Sequence, residues 1–214
     1  MKLFYAHYPS LQSAFLRYVK QERQTVLEPW LVVCASSFLA QRLSAELAKQ
    51  EGVLANFHFV TGSAVLRALD SEAGPALPEF PQDHLRDFLL KEILNEPGMN
   101  RYPLSRGFVQ ALKSSLRDLA DSLAEPEILQ EHLLTSTDPV LAQDGERLEW
   151  VGRVYKRYLE REANVAGYRS YQAFFERALG QIESSSYLKK FSHIVWYGFY
   201  DMSGRQLELV KRQR

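Results

Sequence analysis

The run Trp30-Leu-Val-Val-Cys-Ala35 carries no charge and stops at Ser36-Ser37, where an amphipathic helical pattern begins and continues to about Gln50. A short apolar run bounded by polar residues reads as a strand buried on both faces, and such strands belong to parallel sheets. Similar runs lie at about 2–6, 56–61 and 193–199, with helical segments between them. This alternation predicts an α/β fold in which helices flank a parallel sheet. With 214 residues the chain can build one sizeable core, or a core and a smaller helical lobe.

The middle of the chain departs from the alternation. Leu69 to Pro81 is rich in Gly, Pro and acidic residues and reads as a linker. Asp83 to Leu94 has helical periodicity, and Asn95-Glu96-Pro97-Gly98 ends it. Ser105 to Leu123 and Pro126 to Leu134 read as two more helices, and Thr135-Ser136-Thr137-Asp138-Pro139 breaks the chain again. From Val154 a helical stretch runs through Tyr168 to Ala178. The last helix opens near Gln206, with Asp201 or Ser203 as its cap. No internal repeat is present.

Two segments have the frame of nucleotide-binding motifs without their chemistry. Ala6-His7-Tyr8-Pro9-Ser10-Leu11-Gln12-Ser13 has the spacing of a phosphate loop, G-x-x-x-x-G-K-[ST], after the strand-like Lys2-Leu3-Phe4-Tyr5. Such a loop needs glycines so that backbone N–H groups can close on phosphates, a Lys for the terminal phosphates, and a hydroxyl for Mg²⁺. Ala6 and Leu11 stand at the glycine positions and Gln12 at the Lys; only Ser13 fits. The plainer reading is a strand, a turn, and a helix from Leu11 to about Lys20. In the second segment, Ile194-Val195-Trp196-Tyr197-Gly198-Phe199-Tyr200-Asp201, followed by Gln206, keeps the frame of a Walker B strand. Tyr197 and Gly198 replace the acids that hold Mg²⁺ and orient the attacking water. A generic buried strand followed by a capped helix accounts for the same residues.

Further segments fall in a matching order. The 194–206 segment resembles the V-D-E-F-Q-D-T-x-x-x-Q run of superfamily 1 helicases. The 30–43 segment resembles motif Ia, where a strand end and helix start touch single-stranded DNA. Phe57 to Leu66 resembles the T-F-H-S-L-A segment, with Gly62 in place of its Phe. Val154-Tyr155-Lys156-Arg157-Tyr158 and the following stretch resemble the helices that precede Walker B. Leu3-Phe4-Tyr5-Ala6-His7 and Leu31 to Ser37 are especially similar to the N-terminal region of AddB/RecC-type subunits of bacterial helicase–nuclease complexes.

That resemblance implies a RecA-like domain of the UvrD-like helicase fold, over residues 1–74 and 141–214. An all-helical, 1B-like insertion would occupy 75–140. It implies a non-catalytic domain of a DNA double-strand-break repair subunit of exonuclease V type. Such a domain has no catalytic residue, metal or cofactor of its own and serves DNA binding and subunit scaffolding. Its partners would be DNA, bound weakly or only in complex, and a helicase–nuclease subunit. DNA contacts would come from strand-to-helix junctions: Ser36, Ser37 and Arg42 at the first, Thr61 and Ser63 at the second. Helix N-termini offer N–H groups to phosphate, although simple helix capping explains the same hydroxyls. The chain stops inside the helix after the second motif, so the resemblance also implies a piece of a longer protein. The alternatives are a divergent nucleotide hydrolase and an interaction module without nucleic acid.

Composition narrows these classes. Basic and acidic residues balance at 26 each, so any DNA-binding face is a local patch. The single cysteine, Cys34, forms no internal disulfide and reads as a buried thiol of a cytoplasmic protein. No secretion signal and no run of transmembrane length appears. His7, His58, His84, His132 and His193 match no metal spacing, and Ser184-Ser185-Ser186 reads as a turn. Lys189-Lys190 and Lys211-Arg212-Gln213-Arg214 are short basic runs of the kind that form solvated faces.

Overall fold

A computed structural model describes residues 7–51, 55–75, 84–135 and 144–213. The expected first strand at 2–6, Ala6 included, lies outside the described residues, as do residues 76–81 of the expected 69–81 linker. The elements are α1 (Tyr8–Glu22), β1 (Trp30–Cys34), α2 (Ser37–Glu51), β2 (Phe57–Thr61), α3 (Gly62–Glu72), α4 (His84–Leu94), α5 (Arg106–Asp121) and α6 (Pro126–Thr135). They continue with α7 (Gly145–Ala163), α8 (Tyr171–Leu179), a 3₁₀ turn (Leu188–Lys190), β3 (His193–Tyr197) and α9 (Gly204–Arg212). The chain divides into two compact units. The first comprises Met1–Pro75, Phe175–Met202 and Gln206–Arg214, and the second Ala76–Phe174 and Ser203–Arg205.

The first unit holds a three-stranded parallel sheet in the order β2-β1-β3. Its fold class is mixed α/β with flanking helices, as the strand–helix alternation predicts. The central strand is fully buried from Trp30 to Cys34, which is why its sequence is continuously apolar rather than alternating. Trp30, Val32 and Cys34 share a core with Phe15, Leu16 and Val19 of α1, and with Ala40, Leu43 and Leu47 of α2. Leu31 and Val33 point to the opposite face, since side chains alternate along a strand. Helix α3 packs on β1 and β2. Burying a Val or Leu side chain contributes roughly 1.5–3 kcal/mol, so this strand is the stabilising centre of the unit.

Two polar clamps complete the first unit. Glu72, at the end of α3, accepts hydrogen bonds from Ser185 Oγ (2.6 Å), Ser186 Oγ and the Tyr187 N–H (2.7 Å). The two seryl donors hold its carboxyl below the usual range. The serine triplet is therefore a turn with a carboxylate partner. Arg177 pairs with Asp70 at 3.4 Å and donates to the Gly74 carbonyl, fixing the residues that follow α3.

The second unit is helical. Leu90, Ile93 and Leu94 of α4, Val109, Leu112 and Leu116 of α5, and Trp150, Val154 and Tyr155 of α7 form its core. Ser105 caps α5 by accepting from the Phe108 N–H at 3.2 Å. Glu96 accepts from Arg157 Nε at 2.9 Å and Arg161 Nη2 at 2.6 Å, tying the end of α4 to α7. Trp150 Nε1 donates to the Met99 carbonyl at 3.0 Å, so its indole is satisfied inside the core.

Several expected boundaries move. Helix α1 starts at Tyr8 rather than Leu11, because Pro9 sits in its first turn, where no N–H is needed. Leu69 belongs to α3 and not to a linker; with Val65 and Leu66 it forms that helix's buried stripe. The helical stretch expected from Val154 begins earlier, at Gly145, and its two helices are α7 and α8. Gly167 takes a left-handed φ of 81° in the break, and Ser170 starts the next helix by accepting from the Ala173 N–H at 3.1 Å. Strand β3 ends at Tyr197 instead of 199, because Gly198 turns the chain with φ 77°.

Candidate functional site at the carboxyl edge of the sheet

Parallel pairing sets Cys34 opposite both Thr61 and Tyr197. The carboxyl ends of all three strands therefore lie in one row. Three of the segments singled out in the sequence meet there: Ser36-Ser37 after β1, Thr61 to Ser63 after β2, and Tyr197-Gly198 at the end of β3. In open α/β sheets, this carboxyl edge is where ligands bind.

Ser36, Ser37 and Ser63 are exposed and Thr61 is half-buried. Ser36 Oγ accepts from the Leu39 N–H at 3.2 Å, so it caps α2. Ser37 begins that helix with an exposed hydroxyl-bearing side chain. Thr61 sits in the cap position of α3 without a side-chain cap bond; its hydroxyl lies 3.0 Å from Ser63 Oγ. Arg42 is exposed further along α2. Two large aromatics, Phe38 at 72% exposure and Tyr200 at 77%, follow Ser37 and Gly198 and give the segments at this edge an apolar component.

The nucleotide-motif positions behave differently. Tyr197 is buried, and its ring packs on Phe15. Position 197, where the expected motif would carry an acid, is thus an aromatic core contact. A Cβ at Gly198 would overlap the end of the Leu39 side chain, which would have to shift. Leu11 and Gln12 lie within α1, where Leu11 packs against the core, and Ser13 Oγ donates back to the Pro9 carbonyl at 3.1 Å. The residues from Tyr8 onward are helix and so do not present consecutive N–H groups around a phosphate. Among the described residues, no three His, Cys, Asp or Glu side chains gather as metal ligands. Within the same limits, no helix is long and apolar enough to cross a membrane.

Cys34 is the last residue of β1, and its thiol is buried beneath this edge. Burial pushes it up to about 11. It is therefore protonated at neutral pH, a poor nucleophile and a poor metal ligand.

Sequence reasoning missed a second feature, a cavity of about 320 Å³ inside the helical unit. Its walls come from α4, α5 and α7 and from the first residues of α8 and α9. Its charged residues lie far apart in the chain and follow no local spacing, so no motif reveals them.

The fold defines the chain's class as mixed α/β, with a small three-stranded parallel sheet flanked by helices. Compared with known proteins, the chain matches no family model and no curated sequence.

Proposed function

We propose that the chain is a non-catalytic, RecA-like helicase-fold domain in a subunit of a DNA double-strand-break repair helicase–nuclease. In this role it binds single-stranded or end-proximal DNA and scaffolds a partner subunit, while ATP is hydrolysed elsewhere. The observation that carries the reading is the alignment of the Ser36-Ser37, Thr61-Ser63 and Tyr197-Gly198 segments at one sheet edge. Those segments resemble, in the same order, the DNA-contacting and Walker B segments of superfamily 1 helicases. Exposed hydroxyls at two helix starts suit phosphate contact, and the exposed rings of Phe38 and Tyr200 suit base stacking.

The loss of ATP chemistry in this proposal has a physical basis. An acid at 197 would be buried against Phe15, and any side chain at 198 would meet Leu39. Calorimetry of the chain with ATP and Mg²⁺ is expected to give no heat at millimolar nucleotide. Fluorescence anisotropy with a single-stranded oligonucleotide is expected to show weak, salt-sensitive binding. Combining Ser37→Ala with Arg42→Ala should weaken it. Unchanged DNA binding in that double variant would sink the DNA assignment. Clear ATP binding would move a divergent nucleotide hydrolase to first place.

A further inference from the structure

We propose that the cavity in the helical unit is a binding site for a phosphate monoester no larger than a mononucleotide, held by Arg86, Lys113, Arg117 and Arg205. This site shares no residue with the sheet edge and does not depend on the DNA-binding reading of that edge.

The charge balance of the wall is the first ground. Four cationic side chains line the cavity against two carboxylates, Asp121 and Glu162. Asp87 stands behind Lys113 at 2.6 Å and brings a third carboxylate. One cation is still in excess, and Arg117 has no ion pair with any described residue. Cations gathered on one wall repel one another, so an excess of this kind is relieved by an anion.

The second ground is preorganisation. Arg205 is buried, and its guanidinium lies 4.4 Å from the centre of the Tyr171 ring. Its Nη2 donates to Gln172 Oε1 at 3.0 Å, and its Nη1 is 3.5 Å from Asp121 Oδ1. The fork is therefore held in place before any ligand arrives. Gly204 makes this placement possible: a Cβ there would collide with the Ser122 backbone, so the chain can approach α5 only with glycine at 204. On the α4 side, the Arg86 Nε is buried without a hydrogen-bond partner among the described residues.

The ligand class follows from the lining. Arginine forks match the oxygens of phosphate better than a point charge does. Leu90, Leu116 and Leu159 supply apolar wall, which suits a ring or sugar attached to the phosphate. The volume is at the small end of ligand sites, the size of one nucleotide and not of a chain. Glu162 is buried beside Tyr158, whose hydroxyl lies 3.5 Å from its Oε1, and desolvation pushes its carboxyl up.

The test is calorimetric titration of the full chain with dAMP, with deoxyadenosine, and with an oligonucleotide carrying either a 5′-phosphate or a 5′-hydroxyl. Saturable dAMP binding is expected, with deoxyadenosine silent. Arg117→Glu should weaken it about tenfold or more, and Arg117→Lys, which keeps the charge but loses the fork, should weaken it less. Arg117 is exposed, so both variants should melt with the parent. If the phosphorylated strand shows the same dependence on Arg117, the phosphate can come from a DNA end; if only dAMP does, it comes from free nucleotide. The proposal is overturned by no saturable binding of either at millimolar concentration. It is equally overturned by binding that Arg117→Glu leaves unchanged, or by deoxyadenosine binding as well as dAMP.

Discussion

The ring of Tyr197 lies 5.3 Å from the ring of Phe15, tilted by 60°, and so joins the end of β3 to α1. An acid at this position would be a buried charge facing an aromatic ring. Tyr197→Asp is therefore expected to destabilise the fold by roughly 3–5 kcal/mol, through lost aromatic burial and an uncompensated carboxylate. It should confer no Mg²⁺-dependent nucleotide binding. Urea denaturation followed by tryptophan fluorescence reads the first effect, and calorimetry the second. A stable variant that binds Mg·ATP would show that the sheet edge is still a nucleotide site.

Gly198 combines a left-handed φ of 77° with a close contact, since a Cβ there would displace the end of the Leu39 side chain. The Leu39 side chain can yield in part, but the backbone strain remains. We expect Gly198→Ala to cost about 1–3 kcal/mol. Gly198→Ala combined with Leu39→Ala should recover only the steric share. A double-mutant cycle on melting transitions separates the two, and full recovery would mean that the positive φ carries no cost.

Ser36 and Ser37 are neighbours with different work. Ser36 accepts a backbone N–H and Ser37 opens the helix. Ser36→Ala should cost about 1 kcal/mol of stability. Ser37→Ala should change stability by less than about 0.5 kcal/mol. If Ser37 touches phosphate, its variant lowers oligonucleotide affinity at unchanged melting temperature. Equal thermal losses in both variants would contradict this division.

The Cys34 thiol, pushed up to about 11 from an ordinary value of 9.0, takes up its proton more tightly in the folded chain than in the unfolded one. Its contribution to stability is complete below pH 9 and is lost as pH rises through about 11. Cys34→Ala should flatten the alkaline limb of the stability curve between those values, at a cost in packing at neutral pH. The native thiol should react slowly with Ellman's reagent at pH 8 and quickly in denaturant. Fast native labelling would show that the strand end opens readily.

Much of the element order is legible in the chain. The uninterrupted apolar run at Trp30–Cys34 marks a strand covered on both faces, and the 3.6-residue periodicity of α4 and α5 marks their buried stripes. Boundaries were less legible where one residue decides them. Gly198 ends β3 and Gly167 separates α7 from α8 through backbone angles that no periodicity encodes. Leu69 was hidden by the acidic, Gly- and Pro-rich stretch that follows it, although its burial places it in α3.

Local pattern was thus enough for β1, β2 and β3, for most of the helices and for the absence of acids at 197 and 198, because each rests on near neighbours in the chain. It was not enough for register or for clustering. Setting Cys34 opposite Thr61 and Tyr197 took hydrogen bonds between strands far apart in sequence. Gathering Arg86, Lys113, Arg117 and Arg205 around one cavity took helix packing and the close approach of Gly204 to Ser122. Such long-range placements follow from burial and pairing in the folded chain, which local spacing does not encode.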